Sequence, residues 1–252
     1  MKKYINKIRK KIADISYKYI CIIGSNNKLV TFTFDDVPKS AFENAGKILK
    51  KYNLNGTFYV ALSLMEKPDS EGLFARKDIE ECFKSGNELA CHSFSHFHFF
   101  RTKNDRFIYS ELEKNRDEFK KLNLDTTLRN FSYPFGEQTR LAKKQVSKLY
   151  TTCRGVDPGV NVGKVDFNNL KAIQLYESKN SLQKIEKIID DLKNKGGWLI
   201  FYTHDVQDNY STHGCSPAYF EAVVEKVINA DLEVKNVSQV ADIFRITKNS
   251  KH

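Results

Sequence analysis

The residues able to do chemistry are few, because the chain holds only six histidines in 252 positions. Two of them, His92 and His96, stand four residues apart. On a helical turn that spacing puts both imidazoles on one side, close enough to share an ion. One added carboxylate would complete a two-histidine, one-carboxylate set with positions left for water and substrate. Asp35 and Asp36 form an adjacent carboxylate pair. If the chain turns there, both enter one site, one as a metal ligand and one as a proton acceptor. His204, followed by Asp205, offers a group whose pKa is easily tuned for acid or base work. Each feature also has a plainer use. His98 would make the histidines a solvated loop, the aspartates could cap a helix beginning near Ser40, and His204 could be a satisfied residue at the core edge.

These residues gain weight from the elements that carry them. Apolar patterning predicts strands over 29–34, 56–60, 88–91, 130–133, 150–153, 170–175 and 198–203, and a last short one after 233. Helices are predicted over 41–52, 77–84, 105–122, 139–149, 182–192 and 216–230, with a final one ending near 246. Alternation of this kind, without a Pro/Gly/Ser-rich linker, is a βα-repeat architecture. A closed or nearly closed barrel accounts for the number of units, and barrels place function at the C-terminal strand ends. Asp35-Asp36, His92 to His96, Pro134-Phe135-Gly136, Arg154 and His204-Asp205 all stand at such ends.

Composition closes off other classes. Gly is 12 and Pro 5, and hydrophobic residues make up 40% of the chain, which is the profile of a folded protein and not of a low-complexity one. There is no G-x-G-x-x-G after the first strand and no P-loop, so dinucleotide and P-loop chemistry are not expected. The five cysteines form no C-x-x-C pair and read as reduced thiols. Net charge is +10, yet the lysines spread over every helix without interleaved aromatics, so nucleic acid is not the expected partner.

Taken in order, the motifs resemble the polysaccharide deacetylase family (carbohydrate esterase family 4). Thr33-Phe34-Asp35-Asp36-Val37-Pro38 is similar to its T-F-D-D-G-P string, and His92-Ser93-Phe94-Ser95-His96 to its H-[ST]-x-x-H motif. Gly56–Val60 resembles its A-T-F-F-V strand, Asn130 to Gly136 its third motif and Leu199 to Asp205 its fifth. The resemblance implies a distorted (β/α)7 TIM-like barrel over 28–252, with 1–27 an added N-terminal helix and lead-in. It further implies one divalent metal, commonly zinc, held by Asp36, His92 and His96. Asp35 would be the general base and His204 the general acid. Tyr133, Pro134, Phe135, Arg154 and Tyr202 would face the substrate. The implied reaction removes the acetyl group of an acetylated amino sugar, with deformylation, O-ester cleavage or a catalytically impaired carbohydrate-binding protein as alternatives.

The chain also departs from the family pattern. Val37 replaces a glycine, the fourth motif is missing, and Ser132 stands where an arginine usually orients the base. Arg154, at the end of the next strand, is expected to supply that charge to Asp35.

The N-terminal segment carries Ile5, Ile8, Ile12 and Ile15 at helical spacing among lysines. The expectation is that this stripe packs on the domain, the other reading being a foot on an anionic membrane surface. The apolar run after it, Tyr19 to Ile23, is shorter than a signal peptide requires, and no run approaches a membrane span. The expected location is therefore cytoplasmic, at the inner membrane face if the helix binds lipid. An anionic nucleotide- or lipid-linked sugar would suit the basic charge.

Overall fold

A computed structural model describes residues 2–66 and 72–249. Seven strands form one curled parallel path. In spatial order they are β6 (Thr152–Arg154), β5 (Asn130–Ser132), β4 (Glu88–Cys91), β3 (Thr57–Val60), β2 (Lys28–Asp35), β9 (Gly197–Thr203) and β8 (Ile173–Gln174). The short β10 (Glu233–Val234) pairs with the start of β2. Leu170 bridges to Arg154, and β8 pairs with β9, so residues 170–174 bring the two ends of the path together. This is the distorted (β/α)7 barrel expected from the sequence.

The strands form where β-branched and aromatic residues run together, and β2 and β9 are buried on both faces as central parallel strands must be. Side chains alternate between two cores. Along β9, Leu199 and Phe201 join the layer beneath the helices, whereas Trp198, Ile200 and Tyr202 join an inner cluster with Leu29, Phe167 and Leu170. Val237, Val240 and Phe244 of α8 (Val237–Asn249) complete that inner cluster. The period of two thus selects which end residues look into the barrel, Asp35 and Tyr202 among them.

Helices stack outside the strands and start on the signals their sequences carry. Asn104, Thr139, Ser181 and Ser216 each accept a hydrogen bond from the third residue into α4 (Asp105–Lys120), α5 (Arg140–Leu149), α6 (Leu182–Lys195) and α7 (Pro217–Asn229). Gly196 ends α6 at φ +70, where a Cβ would lie 1.7 Å from the Ser25 carbonyl oxygen, so only glycine fits.

Three local features differ from expectation. Residues 20–23, read as part of the lead-in, form an antiparallel ribbon, β1 (Ile20–Ile23), with β7 (Gly163–Asp166), which no predicted strand covers. His92 to His98 do not form a helical turn but an irregular loop. The isoleucine stripe of α1 (Lys2–Ile15) does not pack on the domain. Ile5, Ile8, Ile12 and Ile15 are 46%, 42%, 43% and 75% exposed, and the helix docks through its polar side instead. On that side the fully buried Lys143 of α5 donates to the Ala13 carbonyl at 3.1 Å and pairs with Asp166 at 2.6 Å.

Candidate metal and catalytic site

The expected ligands and acid–base residues meet at the C-terminal ends of β2, β4, β5, β6 and β9, in a pocket of about 530 Å³. Its lining includes Asp35, Asp36, His92, His96, Tyr133, Phe135, Tyr202 and His204. Asp35 is the last residue of β2 and faces inward. The next residue, Asp36, adopts φ +57, and this left-handed turn swings its carboxylate into the same pocket. Val37 follows at φ +41, a conformation costly for a β-branched residue. A glycine would meet no such penalty there, but Val37 is fully buried in the outer core, so packing offsets part of the strain. Ser93, His96 and Phe135 also have positive φ, at 60, 50 and 56. Left-handed residues thus crowd around the site, as strained backbone often does where side chains must converge.

That loop geometry, and not a helix, joins the histidines. His92 Nε2 lies 3.5 Å and His96 Nε2 3.2 Å from Asp36 Oδ1. The three donor atoms fall within 4.8 Å of one another. Burial pushes His92 down to about 3 and His96 to about 4, so both imidazoles are neutral at physiological pH. The Nδ1 of His92 meets the Ser132 carbonyl oxygen at 2.9 Å and its hydroxyl at 2.6 Å. A proton on Nδ1, donated to that carbonyl, leaves the Nε2 lone pair facing Asp36.

Asp36 is the strongest sign of cation binding. Burial, with the charge of Asp35 adding to it, raises its carboxyl to about 7. Its Oδ1 is buried without a hydrogen-bond partner, although it faces both imidazoles. One carboxylate oxygen and two imidazole nitrogens within reach of a common point fit a divalent cation.

Asp35 has the opposite fate. Burial pushes its pKa up, but the Arg154 guanidinium, assisted by His92 and His204, outweighs burial and holds it at about 2. Arg154 Nη2 reaches both Asp35 oxygens, and Ser132 Oγ approaches Oδ1 at 3.3 Å. Ser132 and Arg154 are register partners on β5 and β6. The arginine missing from β5 is therefore supplied from one strand over, by the neighbour that faces the same carboxylate.

His204 completes the group from the end of β9. Its Nε2 is 3.8 Å from Asp36 Oδ2, and its Nδ1 is 3.3 Å from the Tyr176 hydroxyl. Burial lowers its pKa. Asp205 does not enter the site; it binds Ser211 Oγ and backbone N–H and so shapes the loop that brings His213 near His204.

Other expected substrate contacts sort unevenly. Phe135 is half exposed at the mouth, its ring stacked on His98 at 3.6 Å. Tyr202 lines the wall. Tyr133 presents its ring, because its hydroxyl is committed to the Asn168 carbonyl. Pro134 is buried and is not part of the lining, so it shapes the turn. Arg154 is 1% exposed behind Asp35 and pairs with that carboxylate, so it is not part of the pocket lining. Sequence reading missed Gln174, Tyr176, Lys179 and His213, which line the opposite wall. Gln174, Tyr176 and Lys179 come from β8 and the segment after it, and His213 from the loop after β9, where no repeating pattern flags them.

Comparison with known proteins bears on the family and the fold. The family model described as Polysaccharide deacetylase matches residues 23–153. A bifunctional xylanase/deacetylase of Pseudobutyrivibrio xylanivorans is 35% identical over 71 residues, 28% of this chain and 11% of that protein. The chain thus spans about a tenth of the length of that relative. Among solved structures, a family 4 acetyl xylan esterase from Clostridium thermocellum, in complex with a cobalt ion, superposes with a TM-score of 0.62 at 21% identity, covering 86% of this chain and 91% of that one. The esterase family 4 domain of a multidomain xylanase from the hindgut metagenome of Trinervitermes trinervoides gives 0.60 at 19% identity, over 86% and 91%. A pseudoenzyme of the same family from Bacillus anthracis gives 0.57 at 14% identity, over 87% and 68%.

Proposed function

The chain belongs to the polysaccharide deacetylase family, and from that premise we propose that it is a metal-dependent hydrolase that removes the N-acetyl group of an acetylated amino sugar. The observation that carries this reading is the convergence of Asp36, His92 and His96 beside an ionised Asp35 and a pocket-facing His204. A divalent ion, zinc for example, held by Asp36, His92 and His96 would act as a Lewis acid on the acyl oxygen and acidify the attacking water.

The remaining work falls to the chain's own side chains. Asp35, kept ionised by Arg154, accepts the proton of the attacking water on the carboxylate edge that faces the pocket. An amine leaves only when protonated, and the imidazolium form of His204 gives that proton from Nε2 and returns to neutral imidazole, while Tyr176 holds the ring from Nδ1. Phe135, Tyr133 and Tyr202 give the aromatic and apolar wall that positions a sugar. Base, three ligands and acid are all present, which supports catalysis over a binding-only role.

Charge supports one substrate class. Lys179 is exposed at the rim, with its ammonium 5.0 Å from the Tyr176 ring, and the chain carries +10. An amino sugar on an anionic carrier, nucleotide- or lipid-linked, fits both. The test is an acetate-release screen over N-acetyl sugars with and without a diphosphate, chitin-type oligomers and O-acetylated xylan. Turnover is expected to be fastest on an N-acetyl sugar carrying an anionic group. Release from O-acetylated xylan alone would overturn the N-deacetylase reading, and preference for neutral oligomers would overturn the anionic one.

A further inference from the structure

We propose that α1 is an interfacial helix that seats the mouth of the pocket against an anionic lipid surface. The evidence is the direction in which the helix is docked. A helix that packs on a globular domain normally buries its apolar stripe. Here the polar side faces inward: Arg9 donates to the Phe100 carbonyl at 2.7 Å, Lys10 pairs with Asp157, and Asp14 accepts from Asn169 at 3.2 Å. Ala13, on that same side, is fully buried. Tyr4, Ile5, Ile8, Ile12 and Ile15 are left on the outer side as one exposed stripe. Ile20 and Ile22, on the outward side of β1, extend the exposed apolar surface along the chain.

Charge identifies the occupant. Between residues 2 and 18 the chain holds Lys2, Lys3, Lys7, Arg9, Lys10, Lys11 and Lys18 against Asp14 alone. Lys7 and Lys11 are exposed on the helix that bears the stripe. An apolar stripe edged by lysines matches the boundary between acyl chains and anionic headgroups. A second copy of the same helix would bring lysines against lysines, and a nucleic acid would leave the isoleucines in water. No described helix is long and apolar enough to cross a membrane, so the contact is a peripheral one.

Position gives the contact a consequence. Asp157, which holds Lys10, follows Val156 of the pocket wall, and Phe100, which holds Arg9, follows the loop whose His98 stacks on Phe135. The helix is therefore fastened to two loops that edge the pocket, which carries the lipid contact to the pocket's neighbourhood.

Co-sedimentation of the full chain with phosphatidylcholine vesicles, with and without phosphatidylserine, tests this independently of any catalytic activity. Binding is expected to the serine-containing vesicles, to weaken as salt rises, and to fall roughly tenfold or more in Ile8→Glu/Ile12→Glu. Those side chains point away from the fold, so thermal unfolding of the variant should match the parent. Equal binding by the variant, or no preference for anionic vesicles, would overturn the proposal. So would a parent that self-associates through the stripe, seen as a dimer that the substitutions dissolve.

Discussion

Asp35→Asn is expected to lower kcat for deacetylation by about 10²–10⁴-fold, the usual worth of a positioned base, while leaving bound metal unchanged. The two adjacent carboxylates have separate fates. Asp36 turns through a left-handed residue toward His92 and His96, and its raised pKa of about 7 favours a cation as neighbour. Asp35 stays on the strand, paired with Arg154 and held at about 2. An amide at position 35 keeps the shape and most hydrogen bonds but cannot take a proton. Kinetics beside elemental analysis would check this. An Asp35→Asn protein with near-parent kcat would remove the base assignment, and one that had lost its metal would move Asp35 into the ligand set.

The second large effect is expected at Arg154. Arg154→Ser leaves a buried carboxylate without its cation, which costs about 3–5 kcal/mol and should lower Tm by about 6–20 °C for a chain of this size. Because Ser132 is the register partner of Arg154, the double change Ser132→Arg/Arg154→Ser moves the guanidinium one strand and should recover most of that stability. His92 would keep the Ser132 backbone carbonyl as its Nδ1 partner, at 2.9 Å. The pH dependence has a definite sign. Asp35 is depressed, so the pair stabilises fully above the ordinary carboxylate pKa near 4 and is lost as pH falls toward about 2. In Arg154→Ser the pKa of Asp35 rises, and the acid limb of the kcat/KM profile should move to higher pH. A single variant of unaltered Tm, or a double variant no better than the single, would show that Arg154 does not serve Asp35.

Much of this site is legible in the sequence because barrel strands end where chemistry begins. Asp35, His92 and His204 each follow a recognisable strand, and Arg154 is found by asking which neighbouring strand end carries the charge that Ser132 lacks. What escapes depends on backbone conformation or on direction. The i,i+4 spacing of His92 and His96 suggests a helical turn, but positive φ at Ser93 and His96 does the work in an irregular loop. Tyr176 and His213 carry no pattern, since their placement depends on how residues 170–174 close the barrel and on Asp205 shaping the loop after β9. Periodicity finds the isoleucine stripe of α1 but not which side of the helix meets the protein. That choice is made by Lys143, Asp157 and Phe100, all distant in sequence.

The measurement that bears most directly on the whole account is acetate release from an N-acetyl sugar by chelator-treated protein as zinc or cobalt is added back. No turnover is expected without metal, with saturation near one ion per chain and no restoration in His92→Ala at the same metal concentration. Turnover that survives complete metal removal, or a His92→Ala protein that binds metal and works like the parent, would contradict it.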